Sequence, residues 1–133
     1  MITRGRALLA VFITMLVLAA PASAATEYVS LGDSYAAGPL IPLQVPPFGC
    51  LKSNNTYANL AARDLGFALA DASCSGAETE DMTNPQGVDP DGPNPPQFNS
   101  LTANTDVVTI QIGGNDVGFS SVAEAARAPR PRA

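Results

Sequence analysis

Histidine and tryptophan are absent from the 133 residues, and cysteine occurs only twice. Without histidine the commonest general base and the commonest metal ligand are both missing, and two cysteines cannot complete a four-ligand zinc site. Basic side chains are scarce too: seven Lys and Arg stand against twelve Asp and Glu, for a formal net charge of −5. With no basic run to neutralise phosphates, binding to nucleic acid through counterion release is excluded. What remains is 46% hydrophobic and long enough for one globular domain.

The one long apolar run, residues 7–20, follows Arg4 and Arg6 and is interrupted only by Thr14. It leads into Pro21 and the small residues Ala22, Ser23 and Ala24, the layout of a secretory signal peptide with cleavage after Ala24. A run of that length rises only about 21 Å as a helix, short of the ~30 Å hydrocarbon core, so no stable membrane anchor is expected. Leader removal leaves five basic against twelve acidic side chains, a net of −7. In a secreted, extracellular chain Cys50 and Cys74 are the one possible disulfide pair. Closing a loop of about 25 residues would contribute roughly 3 kcal/mol. The alternative is two buried free thiols.

Residues 27–31 alternate in a β-rich strand pattern and run into a turn and a brief helical turn over residues 32–38. Pro39, Pro42, Pro46 and Pro47 predict an irregular surface loop over residues 39–53, tethered by Cys50. Tyr57, Leu60, Ala61 and Leu65 fall at helical spacing, predicting an amphipathic helix over 55–65 with Asn54 or Asn55 as N-cap and Gly66 at its end. A strand over 67–73 follows, so a parallel pair with a crossover is expected. Residues 84–98, with five Pro and two Gly, read as a long excursion, placed over a binding cleft. The acidic run over 89–94 lacks a downstream bidentate Glu and reads as a solvated loop rather than a calcium site. Residues 106–112 form a nearly continuous apolar strand, predicted to be central and covered on both faces. A helix through 121–126 then gives way to an Arg/Pro/Ala tail.

Chemistry-bearing clusters follow each strand: Gly32-Asp33-Ser34, Ser75-Gly76-Ala77 and Gly113-Gly114-Asn115-Asp116. In an open parallel sheet, ligands bind beyond the carboxyl ends of the strands, where these clusters would converge. Singly, each reads as a turn; in this order they read as a site. Ser34 offers a nucleophilic hydroxyl at a sharp strand-to-helix turn. The backbone N–H groups of Ser34 and Gly76 with the Asn115 side-chain amide would form an oxyanion hole. Asp33 and Asp116 read as structural acceptors, Tyr35 as a packing residue, and Glu78, Glu80 and Asp81 as the solvated start of a helix.

These residues resemble blocks I, II and III of the SGNH hydrolases, also called GDSL esterases and lipases, over roughly residues 28–119. The nucleophile elbow of ordinary α/β-hydrolases does not fit, because Ala36 stands where it requires glycine. The resemblance implies an α/β fold, a flavodoxin-like three-layer α/β/α sandwich, of which this chain carries the N-terminal portion. It implies Ser34 as nucleophile, Ser34, Gly76 and Asn115 as oxyanion hole, a small-molecule or lipid acyl ester as substrate, and no metal or organic cofactor. It also points to a Cys50 and Cys74 pair as in secreted bacterial lipases. The family draws its base from a D-x-x-H block, which a chain without histidine lacks. The expected organisation is therefore a leader (1–24), an incomplete hydrolase domain (25–119) and an atypical tail (120–133), from a truncated or frameshifted product. The alternative is a non-catalytic secreted module that retains the cleft for an acyl or glycan ligand.

Overall fold

The computed structural model describes residues 24–127. The predicted leader, Ala24 apart, and the end of the Arg/Pro/Ala tail lie outside the described residues. Three parallel strands form the main sheet: β1 (Glu27–Gly32), with the later strands Ala68–Asp71 and Val107–Gln111 on either side. Around them run α1 (Ser34–Ala37), the two-residue strands β2 (Gln44–Val45) and β3 (Lys52–Ser53), α2 (Tyr57–Leu65), β4 (Ala68–Asp71), β5 (Val107–Gln111) and α3 (Phe119–Arg127). Short 3₁₀ turns occupy Phe48–Cys50, Thr79–Met82 and Gln97–Ser100.

The strand order β4-β1-β5 makes β1 the central strand, with Glu27 opposite Ala68 and Tyr28 opposite Val107. Its alternating side chains divide between two faces. Tyr28 packs with Ala58 and Ala62 of α2, joined by Phe67, Leu69 and Val107. Val29 and Leu31 pack on the opposite face against Met82, with Ala72 and Ile112 beside them. Covering β1 from both sides gives the layered α/β arrangement of a doubly wound sheet, and its strand order matches the first three strands of the flavodoxin-like type.

That result corrects the reading of residues 106–112. The strand is present as β5, but β1 is central and β5 is an edge strand among the described residues, with Val108 and Ile110 about half exposed. A continuous apolar run signals that both faces can be covered, and it does not specify which strand has neighbours on both edges.

The helix over 55–65 forms as α2, but Thr56 is its N-cap, its side chain accepting the Asn59 N–H. Gly66 closes the other end in the left-handed conformation as expected. The buried face is Ala58 and Ala62; Tyr57, Leu60 and Leu65 are substantially exposed. Small side chains let the helix approach Tyr28 and the sheet, where Leu60 and Leu65 would be too bulky.

Residues 39–53 are less irregular than expected, because β2 and β3 pair antiparallel, Gln44 with Ser53 and Val45 with Lys52. The Cys50–Cys74 disulfide is formed and fully buried. It ties this segment to the chain just beyond β4. Where a solvated helix start was expected, Thr79–Met82 is a 3₁₀ turn with Asp81 and Met82 buried, and Asp81 accepts the Glu78 N–H at 2.8 Å. The α3 helix contributes no buried residue.

Candidate active site

The chain leaves β1 for β4 on one side, then crosses to β5 on the other, so the sheet's winding reverses between β1 and β5. A crevice opens at such a switch point, beyond the carboxyl ends of the strands. Blocks I and III both begin there.

Gly32 makes that approach possible. A Cβ at this position would sit 2.2 Å from the Gln111 carbonyl oxygen, and the φ of 144° is one that side-chained residues avoid. Glycine therefore lets β1 press against β5 while the Asp33 N–H donates to the Gln111 carbonyl at 3.0 Å. Asp33 is buried, and its carboxylate caps α1 by accepting the Tyr35 N–H at 3.0 Å. Its second oxygen faces Gly114, where an added Cβ would lie 3.4 Å away, so block III packs directly on block I. Ser34 is then the first residue of α1 and half-buried at the crevice.

Block II is held from several directions. The Cys74 N–H donates to the Gly32 carbonyl at 3.0 Å, and the Ser75 N–H to the Cys50 carbonyl at 2.9 Å. Gly76 is exposed with φ of 81°, inside a turn closed by the Ala77 N–H to the Cys74 carbonyl. Asn115 Nδ2 donates to the Ala77 carbonyl at 2.7 Å, which joins blocks II and III one residue past Gly76. That bond uses one of the two amide protons and leaves the other available. Asp116 receives the Thr79 N–H at 3.0 Å and the Thr79 hydroxyl as well, and these bonds hold its carboxyl below the usual range. The structure thus brings the three predicted clusters together, with Asp33 and Asp116 as structural acceptors.

Tyr35 differs from expectation: it is largely exposed, and lines a depression with Ser34, Gly38, Pro39 and Ile41. Helix α1 is a single turn, so the residue after the nucleophile candidate points away from the core.

Two glutamines from the Pro-rich excursion were not anticipated. Gln97 is fully buried and brackets the Gly32 peptide groups, while Gln86 Nε2 donates to the Ser75 carbonyl at 2.9 Å. The excursion therefore braces blocks I and II through these two side chains. A Gln within a Pro-rich run carries no local pattern that would reveal this role. Among the described residues no cluster of His, Cys, Asp or Glu could hold a metal ion, and no helix is long and apolar enough to cross a membrane.

Comparison with known proteins agrees with this architecture. The chain is 42% identical over 103 residues to Lipase 2 of Streptomyces coelicolor, covering 74% of this chain and 33% of that protein. It is 36% identical over 114 residues to a lipase of Streptomyces rimosus, covering 84% and 38%. The chain thus spans little more than a third of the curated relatives it matches. Among solved structures, the extracellular lipase of Streptomyces rimosus superposes with a TM-score of 0.63 at 30% identity, over 79% of this chain and 42% of that one. Phospholipase A1 of Streptomyces albidoflavus gives 0.58 at 31%, over 77% and 39%. The model of the GDSL-like lipase/acylhydrolase family matches residues 30–130, and the chain belongs to that family.

Proposed function

We propose that this chain carries the nucleophile and oxyanion side of a secreted serine ester hydrolase. Ser34 Oγ attacks the acyl carbonyl of a lipid or other acyl ester, the alcohol leaves, and an acyl-Ser34 remains. The Ser34 and Gly76 N–H groups with the free proton of the Asn115 amide face the developing oxyanion. The observation that carries this reading is the Asn115 hydrogen bond to Ala77, which fixes the amide beside Gly76. Relatives named as lipases, one of them extracellular, support the substrate class, and the apolar N-terminal run supports a leader over 1–24 preceding a hydrolase domain over 25–119.

No histidine is present among the 133 residues to act as base. Both attack by the Ser34 hydroxyl and deacylation by water need a base; with an activated ester the electron pair leaves on the stable p-nitrophenolate and the Ser34 proton passes to solvent, whereas deacylation has no such leaving group, so the acyl-enzyme should form slowly and accumulate. The test is incubation with p-nitrophenyl butyrate, acid quenching and peptide mapping. The expected result is butyryl-Ser34, formed roughly 10²- to 10³-fold more slowly in Asn115→Ala. Ligand binding with no adduct at Ser34 would favour the second reading, a non-catalytic acyl- or glycan-binding module.

A further inference from the structure

Gly76 is the third residue of a turn from Cys74 to Ala77, closed by the Ala77 N–H donating to the Cys74 carbonyl at 3.2 Å. Its φ of 81°, with no positive φ at Ser75, makes this a type II turn. Types II and I differ only in the ψ of the second residue and the φ of the third. The central peptide, here the Ser75 carbonyl with the Gly76 N–H, can therefore turn over while both ends stay in place. Glycine takes either sign of φ, so nothing at Gly76 itself opposes the change. The two arrangements aim the Gly76 N–H to opposite sides, and only one of them can serve an oxyanion.

The carbonyl end of that peptide is held. Gln86 Nε2 donates to the Ser75 carbonyl at 2.9 Å, and among the described residues no other protein donor reaches this oxygen. The Gly76 N–H has no protein acceptor among them, and Gly76 is exposed. One peptide group thus has its oxygen tied to a buried side chain and its N–H open.

Gln86 is itself fixed. Its backbone N–H and carbonyl both pair with Asn94, at 2.9 and 2.8 Å, closing the neck of the loop over 87–93. Its Oε1 is buried with no partner. Were the amide to turn over and accept the Gly76 N–H, the unpartnered atom would become Nε2. A buried donor without an acceptor is tolerated less than an unused acceptor oxygen, so the observed orientation is the favoured one.

We propose that Gln86 is a positioning residue: by donating to the Ser75 carbonyl it locks the Ser75–Gly76 peptide in the type II arrangement and keeps the Gly76 N–H directed into the crevice. The inference rests on the Ser34 reading above and adds what sets one of its oxyanion donors. Gln86 acts through this peptide.

The full-length parent is compared with Gln86→Met, which removes the donor at similar volume, and with Gln86→Glu, whose ionised carboxylate can only accept. In isotopically labelled protein a type II turn gives a strong NOE from the Ser75 Hα to the Gly76 N–H, and a type I turn a strong one between the two N–H groups. The parent should show the first pattern, Gln86→Met a mixture, and ionised Gln86→Glu the second. Acylation of Ser34 by p-nitrophenyl butyrate should fall about 10-fold in Gln86→Met and about 10²-fold in Gln86→Glu near pH ~8. The loss should lie in the rate constant rather than the half-saturating concentration, because the donor acts in the transition state.

As pH falls toward about 5 the introduced carboxyl protonates and can donate again. The Gln86→Glu rate should then climb and its type II pattern return, while Gln86→Met stays constant. Rates are taken relative to the parent at each pH, which removes the titration of Glu78, Glu80, Asp81 and Asp116 shared by all the proteins. A folding defect would not reverse in this way, and if Gln86→Glu fails to fold, the NOE pattern of Gln86→Met decides. A type II pattern unchanged in the variants, or a Gln86→Glu loss that lower pH does not restore, overturns the lock while acyl-Ser34 in the parent keeps the Ser34 reading. A turn that switches as expected with no acyl-Ser34 even in the parent supports the lock and removes that reading.

Discussion

Gln97 brackets Gly32: its Oε1 accepts the Gly32 N–H at 2.7 Å and its Nε2 donates to the Gly32 carbonyl at 2.9 Å, across 65 residues of sequence. An amide side chain can satisfy both backbone groups of one residue at once, and here it does so at the end of the central strand. The Gly32 carbonyl also receives the Cys74 N–H. Gln97 is thus a fixed point for blocks I and II together.

Replacing it tests that role. Gln97→Leu keeps most of the volume but leaves the buried Gly32 N–H without an acceptor, a loss of about 1–3 kcal/mol. Urea unfolding of the variant should show a lower midpoint with an unchanged slope. An unchanged midpoint would mean that water or a shifted backbone satisfies Gly32 and that the bracket is dispensable.

Much of this framework was legible in the sequence, and the reasons differ from place to place. The strand expected over residues 27–31, which runs one residue further to Gly32, and the glycine cap at Gly66 follow from local preference. Which face α2 buries was not local, because the spacing of Tyr57, Leu60 and Leu65 is as helical as that of Ala58 and Ala62. The face that packs is the one carrying Ala58 and Ala62, set against Tyr28 of β1 with Phe67, Leu69 and Val107 beside them. The clusters around Ser34, Gly76 and Asn115 could be named, since Gly, Asp and Asn at strand ends are few. Their mutual bracing could not, because the Asn115 to Ala77 and Gln97 to Gly32 bonds join residues far apart in sequence.

The buried disulfide supports both stability and site geometry. It closes a loop with a sequence separation of 24, and in the chain-entropy picture its loss costs roughly 3 kcal/mol. A Cys50→Ser/Cys74→Ser double variant should unfold at correspondingly lower urea concentration. Because Ser75 donates to the Cys50 carbonyl, the variant should also acylate Ser34 more slowly under conditions where it remains folded. Equal acylation rates would show that Gln86 and Asn115 suffice to hold block II.

At the end of β4 an acidic side chain gives a pH signature. Burial raises the Asp71 pKa above its ordinary value of 3.8, outweighing its hydrogen bonds from Ser73 and the attraction of Lys52. One of its oxygens is buried without a partner. A folded-state pKa above the unfolded value means that the native state holds the proton longer. The associated stability is present below the unfolded pKa and is lost as pH rises through the folded one. Asp71→Asn should remove this decline, so the difference in unfolding free energy between variant and parent grows in the variant's favour as pH rises from about 4. A constant difference across that range would show that Asp71 titrates normally.

The missing base offers the sharpest chemical prediction. If Ser34 sits in a working oxyanion site and lacks only an imidazole, small imidazole diffusing into the crevice should accelerate both acylation and deacylation. Ser34 is half-buried beside an open depression, so access is not blocked. Hydrolysis of p-nitrophenyl butyrate should then rise linearly with imidazole, with a slope above that of free imidazole in buffer. Ser34→Ala should return the slope to the buffer value. Asn115→Ala should reduce the excess by about 10²- to 10³-fold, because an added base does not replace a lost oxyanion donor. Parent and Ser34→Ala slopes that coincide would show that imidazole cannot reach a productive position, and that these residues do not form a catalytic half-site on their own.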